Sequence, residues 1–367
     1  MRGGGKKCLK TFRFNIIHGA IFHIDMPILR SRQKLDISYI PSKVLCRDRE
    51  IQILKTLVES GGKALISGEI GTGKTLLARY LFKESIYINC FVNRSEHAIL
   101  ESILSKVRPS FNPAGLPTRK LWEQIPDNTV IILDEIEGIS LDDLNHFLYT
   151  LSRRSECGRR LKYIAITRDA NILRQMIGDD ATWSTFAEKA VIQLQPYNHN
   201  QMVEILNYRA QEALYEGTFD EDILSLIADI AMESRGHMRT AIDVLRNSAI
   251  LAEQKGETKI EPEDVREANL DTWIGNLDSL DKNHLLVLLS IAKACSNKAY
   301  TTLEDLKGHY LIECENHNIE PTDIEHLIPK LEAEGFISRR ESGGRYALLI
   351  SSKIITKEIE KNLEKIS

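Results

Sequence analysis

No uninterrupted apolar run in these 367 residues approaches the roughly 20 residues of a membrane span, so no transmembrane helix and no membrane partner is expected. Six cysteines (Cys8, Cys46, Cys90, Cys157, Cys295 and Cys314) are scattered without any C-x-x-C spacing. That argues against a zinc site or a disulfide framework and for a reducing compartment. Charge of one sign is lacking as well. A formal charge of −4 gives no whole-molecule field that would draw the chain to nucleic acid or membrane. Neither an internal repeat nor a low-complexity tract is present. The first residues fail as a secretory signal: Phe12 to Ile24 is apolar but interrupted by Arg13, Asn15, His18 and His23, with no small-residue cleavage site. Residues 1–29 are expected to be a disordered leader, with Met26 read as the native initiator. What remains is ample: 43% hydrophobic and 27% charged residues over a length that suggests two or three domains.

The strongest motif is Gly68-Glu69-Ile70-Gly71-Thr72-Gly73-Lys74-Thr75, which fills every fixed position of G-x-x-x-x-G-K-[ST]. A buried strand, Ala64 to Ser67, enters it, and a helically spaced run, Leu76 to Phe82, leaves it. Glycines let backbone N–H groups turn inward around phosphate oxygens, and the helix N-terminus adds favourable partial charge. Lys74 is expected to neutralise the β- and γ-phosphates and Thr75 to hold Mg²⁺. A second motif follows at Thr129 to Leu133, an apolar run ending in Asp134-Glu135. Asp134 is the candidate metal residue, and Glu135 the candidate base that activates water. The paired acids favour an ATPase over a small GTPase, with ATP and Mg²⁺ as the cofactors.

Short apolar strands at 64–67, 86–92, 130–134, 162–167 and 190–194 alternate with helical stretches, the pattern of an α/β parallel sheet. Amphipathic helices follow at Asn200 to Leu214, Asp222 to Met232 and Met238 to Glu253, and Gly275 to Asp278 reads as a linker. Helices near 281–295, 302–315 and 322–334 then precede strands 336–340 and 345–350 around Ser342-Gly343-Gly344, the outline of a winged helix-turn-helix.

Over residues 30–350 the chain resembles the archaeal origin-recognition replication initiators, AAA+ ATPases related to the eukaryotic origin-recognition and cell-division-control proteins. Tyr39-Ile40-Pro41 with Arg47-Asp48-Arg49-Glu50 is similar to the family's opening box. Tyr87 to Cys90, Leu133 to Glu137, Gln195-Pro196-Tyr197 with Ile205 to Ala210, and Gly236-His237-Met238-Arg239 resemble later ones, the last in place of Gly-Asp-x-Arg. The resemblance implies an AAA+ P-loop base over 30–196, a helical lid over 197–274 and an α+β winged-helix DNA-binding domain over 275–367. It implies that Gly71, Thr72, Gly73, Lys74, Thr75 and Leu76 wrap the phosphates. Tyr197 and Arg209 would contact the nucleotide from the lid side, and Arg239 would be the second sensor. By their residue types alone, Tyr197 could equally be a core aromatic and Arg239 a solvated helix residue.

Two departures stand beside the matches. Arg168 occupies the place of the family's polar first sensor, and Asp180 to Thr185 carries no arginine where its arginine finger lies. Efficient hydrolysis is therefore not expected, although Arg168 or Arg174 could substitute. For DNA, the expected recognition helix 322–334 carries Asp323, Glu325, Glu332 and Glu334 against His326 and Lys330. Charge for phosphates would come from Arg339, Arg340 and Arg345 on the wing, with Lys330, or from Arg153, Arg154, Arg159, Arg160 and Lys162. The first reading is an ATP-dependent initiator in the cytoplasm, associated with the nucleoid. It binds double-stranded origin DNA and works with the replicative helicase or other initiator subunits. The alternative is an ATP-gated DNA-binding regulator or scaffold with little hydrolysis. A clamp-loader ATPase fits poorly, since that class ends in a helical collar without a wing.

Overall fold

A computed structural model of the chain describes residues 27–156, 161–234, 237–269, 277–340 and 344–366. The leader up to residue 26 lies outside these, as do Cys157, Arg159, Arg160, Gly236, linker residues 275–276 and Ser342-Gly343.

The N-terminal half alternates helices and strands. They are α1 (Asp48–Gly61), β1 (Lys63–Ser67), α2 (Lys74–Leu81), β2 (Ile86–Asn89), α3 (Glu96–Val107) and α4 (Thr118–Gln124). Then come β3 (Val130–Asp134), α5 (Leu141–Glu156), β4 (Lys162–Thr167), α6 (Ala170–Ile177), α7 (Asp180–Phe186) and β5 (Val191–Gln193). The strands pair in parallel in the order β2-β3-β4-β1-β5. Their continuous apolar runs follow from burial on both faces: Leu65, Ile131 and Leu133 pack into one core, Ile66, Ile132 and Ile164 into another. Strand β2 stops short of the expected residue 92, because the Asn89 side chain accepts the Phe91 and Val92 N–H groups and turns the chain. With β1, β3 and β4 adjacent, Ser67, Asp134 and Thr167 end at one edge, where open α/β sheets bind ligands.

Helices α8 (His199–Ala213), α9 (Glu221–Glu233), α10 (Met238–Lys255) and α11 (Pro262–Ala268) form the lid. Side-chain caps fix where they start: Asn198 and Gln201 form a capping box on α8, and Asp220 accepts the Ile223 N–H on α9. The C-terminal unit comprises α12 (Lys282–Ala294), β6 (Tyr300–Thr302), α13 (Leu303–Asn316), α14 (Ile328–Ala333), β7 (Ile337–Arg340), β8 (Arg345–Leu348) and α15 (Ser352–Ile366). Its antiparallel sheet, β6-β8-β7, and helices make a winged helix.

This unit departs from the sequence expectation in three places. It contains strand β6 and helix α15, which the sequence pattern does not announce. The expected helix 322–334 is instead a 3₁₀ turn, Ile324–His326, followed by the short α14. Pro329 explains the break: it has no N–H to continue a helix, and it is well accommodated only in a first turn, where it sits here.

The wing sheet has two faces. Ile337, Tyr346 and Leu348 pack into the C-terminal core, while Tyr300 and Ala347, with Leu349, join the core of the lid. Arg266 of α11 pins the two together. Fully buried, its guanidinium donates to the carbonyls of Leu348 (3.0 Å), Cys295 (2.8 Å) and Lys298 (2.7 Å). Glu263, one turn earlier, accepts from the hydroxyls of Ser351 (2.7 Å) and Ser352 (2.8 Å).

Candidate nucleotide site

Between base and lid lies a cavity of about 510 Å³, within the range of ligand sites. The loop from β1 to α2 forms its floor. Gly73 (φ 87°) caps α2 in the left-handed region, and a Cβ there would sit 3.2 Å from the Tyr197 hydroxyl. A Cβ on Gly68 would lie 2.5 Å from the Leu194 carbonyl, so both positions require glycine. Lys74 Nζ donates to the carbonyls of Gly68 and Glu69 (2.7 Å for the latter). Burial pulls the lysine below its ordinary pKa, against the pull of Asp134 and Glu137.

Opposite the lysine, Asp134 Oδ2 accepts from the Thr75 hydroxyl (2.7 Å) and the Tyr87 hydroxyl (2.9 Å). Burial, then the neighbouring carboxylate, pushes Tyr87 up to about 12, so it stays a donor. One hydroxyl and one carboxylate at this distance are the hard oxygen donors that Mg²⁺ takes alongside phosphate oxygens, so Thr75 and Asp134 could hold it. Among the described residues no cluster of three or more His, Cys, Asp or Glu side chains could hold a metal by itself.

Glu135 follows in the left-handed region (φ 54°). Asn89 donates to its Oε2 (2.9 Å), and the Arg168 guanidinium lies 3.6 Å from its Oε1. Register explains the first contact, because Asn89 on β2 faces Asp134 on β3.

The lid-side residues divide. Tyr197 is buried and lines the cavity beneath Arg47, whose guanidinium sits 4.0 Å from the ring centroid. Arg47 also donates to the carbonyls of Thr72 (3.2 Å) and Gln195 (2.6 Å), tying the phosphate loop to the base–lid junction. Arg209 lines the cavity too, but its guanidinium donates to the carbonyls of Lys34 and Asp36 and lies 5.0 Å from the Tyr39 ring centroid. It therefore anchors the segment carrying Ile37, Ile40 and Val44, the apolar end of the cavity. Arg239 is exposed at the cavity wall, near enough to Lys74 to depress its pKa. His237, in the altered position, reaches Glu69 of the phosphate loop at 3.7 Å. Gly71 and Leu76 line the cavity as well, and Thr72 is buried beneath it with its hydroxyl on the Glu69 carbonyl (2.9 Å).

Arg47, Tyr87 and Asn89 had no role assigned from sequence. Tyr87 and Asn89 did carry a signal: two polar side chains alternate with Ile86 and Ile88 on a strand. Arg174 is not at the cavity; it pairs with Asp180 at 3.3 Å. On the wing the three arginines do not share a face. Arg339 is exposed and pairs in register with Tyr346, whereas Arg340 and Arg345 flank Tyr300 on the lid side, each 5.2 Å from its ring centroid. Arg345 also meets Asp222 of α9 at 3.5 Å. Lys330 is half-buried and donates to the Ser279 carbonyl (2.7 Å).

Known proteins agree with this geometry. Residues 58–173 match the AAA domain, and residues 203–270 match the Cdc6 AAA+ ATPase-type lid domain. The ORC1-type DNA replication protein 1 of Sulfolobus acidocaldarius is 28% identical over 92% of this chain and 94% of its own length. The ORC1-type DNA replication protein of Thermococcus kodakarensis is 26% identical over 92% and 88%. The crystal structure of Cdc6p from Pyrobaculum aerophilum superposes with a TM-score of 0.84 at 26% identity, covering 92% of this chain and 99% of that one. The Aeropyrum pernix ORC1 protein, solved in complex with DNA, shares the fold at 22% identity, with a TM-score of 0.58 over 91% and 97%. A nucleotide-binding base, a Cdc6-type lid and a winged helix in one chain are the parts of an archaeal Orc1/Cdc6 initiator, and it is to those proteins that this chain is similar over nearly its whole length.

Proposed function

We propose that the chain is a slow, ATP-switched initiator that binds double-stranded origin DNA at the nucleoid and recruits the replicative helicase or further initiator subunits. The observation that carries this reading is a complete phosphate loop, with Thr75 and Asp134 in contact, under a lid that is itself pinned to the winged helix. Lys74 faces the β- and γ-phosphates, and the loop N–H groups cradle them. Thr75 and Asp134 would hold Mg²⁺, which would supply charge neutralisation for the phosphates. Glu135 takes the proton of the attacking water as the new oxygen–phosphorus bond forms. The bond from the β–γ bridging oxygen to the γ-phosphorus breaks, leaving ADP and phosphate. Arg239, on the lid, makes the lid's position depend on the charge of the bound nucleotide. The wing arginines and Lys330 supply the charge toward DNA phosphates.

Turnover is expected far below the roughly 1–10³ s⁻¹ typical of enzymes, because α7 offers no arginine finger. That same absence favours the second reading, an ATP-gated regulator that does not fire origins. Genome-wide crosslinking to DNA in the source cell separates the two. Sharp peaks at replication origins are expected; binding without origin peaks would move the assignment to the regulator.

A further inference from the structure

His237, at the start of α10, carries three local costs with no local return. Its backbone takes a positive φ (42°), a region that a residue with a Cβ rarely adopts. Its side chain gives α10 no cap, at a position where Ser, Thr, Asn or Asp would accept an N–H of the first turn. Its Nδ1 is buried without a protein partner. Such costs persist where the surroundings enforce them, and they cluster at functional sites. What the side chain does meet lies in the other half of the site: Nε2 is 3.7 Å from Oε2 of Glu69, in the phosphate loop.

Both ends of this contact are held in place. The Glu69 carbonyl accepts from Lys74 Nζ (2.7 Å) and from the Thr72 hydroxyl (2.9 Å), which fixes the main chain and leaves the carboxylate exposed. On the lid side, Met238, Arg239 and Ile242 of α10 line the cavity. Neighbouring lid residues reach elsewhere: Tyr208 meets Ser42 (2.7 Å), and Arg209 meets the Lys34 and Asp36 carbonyls, all in the segment before α1. His237 instead joins the lid to the loop that cradles phosphates. We infer that His237 and Glu69 form a latch, a positioning pair that tethers the start of α10 to the phosphate loop and slows the escape of a bound nucleotide. The nucleotide leaves when the lid swings off the loop, and attraction between imidazolium and carboxylate opposes that swing. Neither side chain lines the cavity, so the latch acts on ADP as it does on ATP. It rests on the nucleotide-binding reading above.

The test is stopped-flow binding and release of a fluorescent ADP analogue by the full chain, with association and dissociation rates measured separately. Glu69→Gln is expected to raise the dissociation rate about threefold, the size that an ion pair with one exposed partner supports, and to leave association unchanged. His237→Lys, whose charge is permanent, is expected to slow dissociation below the parent's. That gain must vanish in the double variant His237→Lys/Glu69→Gln, since the added charge acts only through Glu69. A dissociation rate unchanged in Glu69→Gln overturns the latch and leaves the nucleotide reading standing. Faster dissociation in His237→Lys, or a slowing that survives Glu69→Gln, also overturns it. Failure of the parent chain to bind the analogue at all overturns the nucleotide reading, and the latch with it.

Discussion

Arg47 shows how a residue can govern a ligand site without facing the ligand's charge. Its guanidinium stacks on Tyr197 and holds the Thr72 and Gln195 carbonyls, fixing the phosphate loop against the base–lid junction. Hydrogen bonds from a charged group contribute about 1.5–3 kcal/mol, so Arg47→Ala is expected to weaken ATP binding about ten- to a hundredfold. Lys74→Ala is expected to abolish it, because it removes the cation facing the phosphates. Titration with a fluorescent ATP analogue reads both, and an Arg47→Ala affinity equal to the parent's would remove Arg47 from the site's scaffold. The two residues differed in legibility for a physical reason. Lys74 lies within eight contiguous residues whose spacing is the chemistry. Arg47 works on backbone carbonyls of Thr72 and Gln195, which leave no trace in side-chain identity.

At the scale of elements, the turn between α10 and α11 is expected to respond to pH. Glu257 sits there beside Asp264, and burial followed by that neighbour pushes its pKa up to about 7 from 4.5. A carboxyl whose pKa is raised on folding stabilises most below its unfolded value, and the contribution is lost as pH rises through the folded one. Lid stability should therefore fall between about pH 4.5 and pH 7. Glu257→Gln, which stays neutral, is expected to raise Tm at pH 8 and to leave it nearly unchanged at pH 4.5; calorimetry at the two values checks this. Elements with strong periodicity were legible, the lid helices α8 to α10 almost to the residue. The C-terminal unit was less so. Its β6 spans three residues and exists because it pairs with Tyr346 and its neighbours far along the chain, a long-range contact no local pattern announces. The split before α14 was written in Pro329, whose effect the periodicity of the surrounding acids and leucines concealed.

For the whole molecule, the lid engages two of the wing arginines that are proposed to meet DNA. Arg345 meets Asp222, and Arg340 lies against Tyr300, whose hydroxyl donates to the buried Asp229 (2.6 Å). Replacing Arg339, Arg340 and Arg345 with alanine is expected to weaken DNA binding and to flatten its salt dependence by about one unit of slope per lost phosphate contact. Asp222→Ala should do the reverse, tightening binding by releasing Arg345. Titrations across a salt series measure both, and an unchanged slope in the triple variant would point to another surface. The junction behind the wing carries a different lesson. Arg266 caps carbonyls of Cys295, Lys298 and Leu348, while Tyr300, Ala347 and Leu349 complete an apolar interior that begins at Ile28. A fragment starting after α11 would therefore leave those carbonyls bare and that apolar surface wet. Lid and winged helix share one apolar interior, and the boundary visible along the chain is no place to cut it.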